Sequence, residues 1–265
     1  MNSVALGHPR ISPDNTRVAG DRNFEVWIYD VERGTPTRLT SGARTAWPFW
    51  TRDGKRITYT SEALGFWCPF WRAADGSDQE KPVYKTNLIV NPADWSPDGT
   101  ELLGYRDTEA NNSDVVVINP TTGKLREIAA TPASEFYPIF SPEGKWVAYR
   151  SDESGRFEIY VRSNGGPDGR WQISTDGGTN VIWKREDEII YTVGDRIIRV
   201  PVQTSPSFSA GTPELLFQTH FLQIDATSDH QRFIATVPRV KNKQDLLNIV
   251  TNWFDGVRLR ASTPH

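Results

Sequence analysis

The 265-residue sequence predicts an all-β chain, a six-bladed β-propeller with four antiparallel strands per blade, in a single domain over residues 1–265. Three observations predict it. A short motif recurs six times at near-constant spacing, each copy contains turn chemistry, and short runs of β-branched and aromatic residues flank every turn.

Four copies of the motif are plain: His8-Pro9-Arg10-Ile11-Ser12-Pro13-Asp14-Asn15, Trp47-Pro48-Phe49-Trp50-Thr51-Arg52-Asp53-Gly54, Ala93-Asp94-Trp95-Ser96-Pro97-Asp98-Gly99 and Tyr137-Pro138-Ile139-Phe140-Ser141-Pro142-Glu143-Gly144. Two degenerate copies follow, at Asn180–Asp187 and Gln223–His230. With the Ser/Thr slot as anchor the register is Ser12, Thr51, Ser96, Ser141, Lys184 and Thr227, and the spacings are 39, 45, 45, 43 and 43 residues. A period of that size with four strands per unit is a propeller blade, whereas a helical solenoid would need a 3.6-residue periodicity.

Each blade element has a local cause. The innermost strand ends in Ser-Pro-Asp-Gly, where Pro presets φ, Asp tolerates the bend and Gly supplies a positive φ. Second strands are expected at Arg17-Val18-Ala19, Arg56–Tyr59, Trp146–Tyr149 and Ile189–Tyr191, and third strands at Glu25–Asp30, Val115–Ile118 and Glu158–Val161. Outer strands follow a further turn, as in Pro36–Thr40. In blade six the first three strands are Ile224–Thr227, Phe233–Thr236 and Leu246–Phe254. Its fourth is either Val257–Arg260, after the Asp255-Gly256 turn, or Ser3–Leu6 from the N-terminus; the N-terminal strand is preferred because blade one has no need of it.

Composition narrows the function classes. A 37% hydrophobic, 11% aromatic chain can build a core, which argues against disorder. Net charge is −3 with no Lys/Arg cluster, so no nucleic-acid partner is expected. Cys68 is the one cysteine, which excludes an internal disulfide and multi-Cys metal sites; its aromatic surroundings predict burial. No apolar run approaches the roughly eighteen residues of a spanning helix, and the N-terminus lacks a basic region and apolar core of a signal peptide, so no membrane partner is expected. The default compartment is cytoplasmic, or periplasmic if an upstream signal has been removed.

The Pro-x-Trp/Phe-Ser-Pro-Asp-Gly unit, together with Ser151–Val161, resembles the WD40-like (PD40) repeats of TolB-like propellers over nearly the whole chain. Trp171–Gly178, Phe208–Pro213 and Asn252-Trp253-Phe254 resemble most the propeller of bacterial serine/threonine-kinase-type regulators. The kinase motifs themselves are absent, so the resemblance implies a binding scaffold without kinase activity.

The register also places candidate site residues. Four residues before each anchor, the entries to the innermost strands read His8, Trp47, Pro92, Tyr137, Asn180 and Gln223; two before, they read Arg10, Phe49, Asp94, Ile139, Ile182 and Asp225. These two rings should line the axial mouth. Trp47, Trp67, Tyr137 and Arg10 are the ligand-binding candidates, although an Arg10–Asp225 ion pair closing the ring accounts for two of these charges equally well. Asp94, Asp225, Asn180 and Glu135 could converge as hard oxygen ligands for Ca2+. His8 and His220 precede innermost strands and are the candidate general bases, while His230, in a turn where other copies carry Gly, should face solvent. Trp50, Trp95 and Trp183 share one repeat position with Phe140 and should be inter-blade core; Trp67 and Trp71 lie in an insertion and should be exposed.

No Gly-x-Ser-x-Gly, His-Glu-x-x-His or Cys-x-x-Cys is present. The expected function is therefore a binding or interaction propeller taking a small molecule, peptide or protein at its axial mouth. The alternative is a Ca2+-assisted hydrolase, of lactonase or esterase type, with its site on the axis.

Overall fold

The computed structural model describes residues 6–84, 90–108, 112–165, 169–237 and 247–250. Every regular element among them is a β-strand, and every pairing is antiparallel and, with one exception in the fifth blade, joins strands consecutive in the chain. The first blade is β1 (Gly7–Ile11), β2 (Arg17–Arg22), β3 (Glu25–Asp30) and β4 (Pro36–Arg38). The second is β5 (Thr45–Trp50), β6 (Arg56–Ser61), β7 (Cys68–Ala73) and β8 (Lys81–Pro82). The third is β9 (Asn91–Trp95), β10 (Leu102–Asp107), β11 (Ser113–Ile118) and β12 (Leu125–Ala129), and the fourth is β13 (Glu135–Phe140), β14 (Trp146–Ser151), β15 (Glu158–Ser163) and β16 (Arg170–Gln172).

The fifth blade runs β17 (Val181–Arg185), β18 (Glu188–Val193) and β19 (Arg196–Gln203). The long β19 pairs at one end with β20 (Ser209–Ala210) and at the other with β21 (Glu214–Gln218). A last sheet has three strands, β22 (Gln223–Ala226), β23 (Phe233–Thr236) and β24 (Leu247–Val250). The fold thus has five complete blades, not the six expected, plus this three-stranded sheet. The pattern that predicts a sixth full blade is the weak Gln223–His230 copy, and both candidates for its fourth strand, Val257–Arg260 and all of Ser3–Leu6 but Leu6, lie outside the described residues.

The anchor turns explain the repeat. In Ser12, Thr51, Ser96 and Thr227 the hydroxyl donates to the Asp two residues on and accepts the amide of the residue five on, at 2.5–3.0 Å. One side chain therefore ties both ends of the turn, which is why Ser or Thr holds that slot. Gly54, Gly99 and Gly144 take the positive φ that follows, and Asn15 and His230 take it in the copies without glycine.

The core lies between blades. Trp50 packs with Ala19, Val26 and Ile28 of blade one, Phe140 with Leu103 and Val117 of blade three, and Trp183 with Ala148 and Ile159 of blade four. All of these are buried, as the shared repeat position requires. Indole N–H groups reach across as well, Trp50 to the Arg10 carbonyl (2.9 Å) and Trp95 to the Thr58 hydroxyl (2.8 Å). The last sheet joins both neighbours: Ala226 and Phe233 pack with Ile190 and Ile197, and Ile234 packs with Leu6, Val18 and Tyr29. Cys68 is buried, as expected, and burial raises its thiol pKa.

Two aromatic placements differ from expectation. Trp71 is part of β7 and stacks on Trp95 with ring centroids 5.6 Å apart, beneath the Arg56 guanidinium. The insertion is shorter than it reads because Trp71 sits in a run with Cys68 and Phe70 that alternates as a strand. His230 is buried, not solvent-facing; its Nδ1 lies 2.6 Å from Glu188 of the fifth blade, and burial lowers its pKa. The αL turn position fixed its backbone, but the sheet-to-sheet packing decided its exposure.

Candidate functional site

The innermost strands surround a channel cavity of about 480 Å³. All twelve residues of the two rings read from the repeat line it, from His8, Trp47, Pro92, Tyr137, Asn180 and Gln223 to Arg10, Phe49, Asp94, Ile139, Ile182 and Asp225. The local cause is a bulge. In β1, β5 and β13 the pairing register slips between Gly7 and Arg10, Ala46 and Phe49, and Phe136 and Ile139, extruding His8-Pro9, Trp47-Pro48 and Tyr137-Pro138. Proline has no N–H to leave unpaired there, so the strand can bend without losing a donor.

The extruded residues carry backbone strain. His8, Trp47 and Tyr137 have φ of +46°, +53° and +50°, the left-handed region that costs a non-glycine residue about 1–2 kcal/mol. Three bulky side chains in that conformation, at equivalent positions and all turned to one cavity, mark the mouth as a place where ordinary strand geometry was given up.

Apolar exposure concentrates on the same face. Of the large hydrophobic residues exposed among the described residues, Phe24, Trp47, Leu64, Phe66, Tyr137 and Leu222 all lie at the mouth end, in the bulges, in the β2–β3 and β6–β7 loops or just before β22; Leu215 on β21 is the exception. Trp67 does not line the cavity but packs on Trp47 (5.8 Å), and Arg44 lies over Phe24 and Trp67. On the opposite side Tyr105, Phe136 and Tyr137 form edge-on and tilted pairs, with Arg150 over Phe136, Tyr137 and Phe157.

The charges below the mouth are mostly answered. Asp94 accepts the Arg52 guanidinium (2.6 Å), the Phe140 amide (3.0 Å) and its own strand's Trp95 amide (2.8 Å). Asp225 accepts Lys184 (2.9 Å), the Ile11 amide (2.8 Å) and the Ala226 amide (2.9 Å). The two aspartates are equivalent: each sits two residues before its anchor and takes the amide one residue before the next sheet's anchor. They staple neighbouring sheets at the channel wall. Burial pushes the Asp94 carboxyl up and the Lys184 ammonium down, and the ion pairs oppose both shifts.

This geometry rearranges several expectations. Asp225 pairs with Lys184, while among the described residues Arg10 bonds only to the Pro9 carbonyl (3.3 Å); the Arg10–Asp225 ion pair does not form because the degenerate fifth anchor places a lysine on the channel. Asn180 lines the channel with its amide toward Thr192. Glu135 does not line it: the side chain is buried at the start of β13, bonded to Thr131, with Oε2 unpartnered. Burial, with Asp114 and Glu153 nearby, raises its pKa to about 7. Among the described residues no three His, Cys, Asp or Glu side chains converge as a metal site, and the Asp94 and Asp225 oxygens are engaged by cations and amides. The expected Ca2+ donor set therefore does not fit the residues present. His8 holds Asp21 on Nδ1 (2.6 Å) and accepts the Trp47 indole N–H on Nε2 (2.9 Å), so both ring nitrogens are engaged. His220 is exposed and outside the channel lining.

Sequence reasoning missed Arg52, Lys184, Arg150 and Tyr105. Lys184 and Arg52 stand at and just after an anchor and could have been found by extending the rings downward. Arg150 is reached only through the β13–β14 pairing that sets it opposite Phe136.

No family model matches the chain. It is 21% identical over 210 residues to the uncharacterized peptidase YuxL of Bacillus subtilis, covering 60% of this chain and 32% of that protein. It is 25% identical over 162 residues to dipeptidyl-peptidase 5 of Porphyromonas gingivalis, covering 56% of this chain and 23% of that one. The chain thus spans less than a third of the curated relatives' length. These comparisons lend no support to the expected kinase-regulator likeness. The structure of putative TolB from Agrobacterium tumefaciens superimposes with a TM-score of 0.67 at 16% identity, covering 82% of both chains, so the fold is that of a TolB-like β-propeller.

Proposed function

We propose that this chain is a binding propeller that takes a ligand or partner segment at the mouth of its channel. The observation that carries the reading is the coincidence, on one face, of the strained bulges of His8, Trp47 and Tyr137 with six of the seven exposed large hydrophobic side chains among the described residues. Exposed aromatic surface is usually buried against something, and aromatic anchors dominate binding energy where it is. A pooled hexapeptide library passed over the immobilised protein tests it. Retained peptides should fall at least tenfold in Trp47→Ala and Tyr137→Ala; equal retention by both variants would place recognition elsewhere.

The similarity to two peptidases favours a second reading, a hydrolase of esterase or lactonase type on the axis. Hydrolysis of p-nitrophenyl esters or lactones that disappears in His8→Ala would support it. A melting temperature that rises with Ca2+ and falls with EDTA would restore the metal-assisted form.

A further inference from the structure

Four cations line the channel, Arg10, Arg52, Arg150 and Lys184, against two acids, Asp94 and Asp225. Arg52 and Lys184 are answered by Asp94 and Asp225. Neither Arg10 nor Arg150 forms an ion pair with a carboxylate among the described residues, although the Asp152 charge acts on Arg150 from further off. Arg10 is exposed to the cavity at the level of the second ring. Arg150 is half-buried, its guanidinium 4.2–5.4 Å from the rings of Phe136, Tyr137 and Phe157, and its buried Nε has no acceptor. A charge as sheltered as that of Arg150 is ordinarily paired, and an open guanidinium fork such as that of Arg10 is matched to a carboxylate. The surplus also runs against the chain, whose net charge is −3.

We infer that the mouth selects a carboxylate-bearing peptide, its acid group received by Arg10 and Arg150 and its apolar side chains held by Trp47 and Tyr137. This rests on the binding reading above and names the chemistry of its occupant. A peptide fits because exposed apolar residues continue outside the cavity, at Phe24 and Phe66 beside the first two blades, from Trp47, Tyr137 and Leu222 that line it.

Two pooled hexapeptide libraries decide it. One contains Asp, Glu and free C-termini; in the other Asn and Gln replace the acids and the ends are amidated. The immobilised protein should retain the acidic pool at least tenfold better, and 0.5 M salt should narrow that ratio. Arg10→Gln and Arg150→Gln should each bring the ratio toward one. Arg10 is exposed, so its variant remains informative if Arg150→Gln fails to fold. Equal retention of both pools would overturn the carboxylate inference and leave the binding mouth standing. A preference unchanged in Arg10→Gln would also overturn it. Retention of neither pool would overturn both.

Discussion

Asp225 joins three sheets, so its charge should hold the ring. It accepts Lys184 of the fifth blade at 2.9 Å and the Ile11 amide of the first at 2.8 Å, and is 3% exposed. Asp225→Asn keeps the shape and leaves Lys184 facing Arg10 and Arg52 without its counter-charge. Breaking a fully buried pair costs about 3–5 kcal/mol; the Lys184 side chain keeps 22% exposure, so solvent screening reduces this to about 2–4 kcal/mol. For a chain of this size that is a fall in melting temperature of roughly 5–12 °C. Differential scanning fluorimetry and urea titration at pH 7 measure it, with far-UV circular dichroism to show that the sheets persist. The paired replacement Asp225→Leu with Lys184→Met should recover at least half of the loss, because no charge is then stranded. A melting temperature within about 2 °C of the parent for Asp225→Asn would refute the argument that this ion pair secures the closure.

Trp47 adopts φ +53°, so Trp47→Gly should be as stable as Trp47→Ala or up to about 1 kcal/mol more stable, reversing the usual order of Gly and Ala; urea midpoints compare them. Glu135 is protonated more readily in the folded state, with a pKa raised from 4.5 to about 7. Its stabilisation is complete below pH 4.5 and lost as pH rises through 7, by roughly 3 kcal/mol. Glu135→Gln should therefore flatten stability between pH 4.5 and 7 and raise it at pH 8, read as urea midpoints across that range. At Gly104 a Cβ would stand 2.4 Å from the Asn91 carbonyl oxygen, so Gly104→Ala should cost about 1–3 kcal/mol by thermal denaturation.

Much of the channel was legible because the repeat is a ruler. Once Ser12, Thr51, Ser96 and Ser141 fix the register, counting back four and two residues names the wall, and all twelve of those residues line the cavity. Trp50, Phe140 and Trp183 were likewise identified as inter-blade core by sharing one slot. The ruler failed where copies degenerate. His230 kept the turn's positive φ but lies against Glu188, a contact between sheets that no spacing encodes. The count of full blades failed in the same weak copy.

The sequence by itself determined the all-β class, the turns, the strand order and the ring positions, because each depends on residues within one unit of about forty-four. The partners of charges were decided only by tertiary structure. Arg10 and Lys184 of other sheets both line the channel with Asp225, which bonds to the lysine; Glu135 has the chemistry of a calcium ligand but is buried away from the channel lining. Carboxylates meet their cations and amides across about 3 Å in space, between residues 41 to 214 positions apart in the chain for Asp225, and only the closed arrangement of the sheets brings them together.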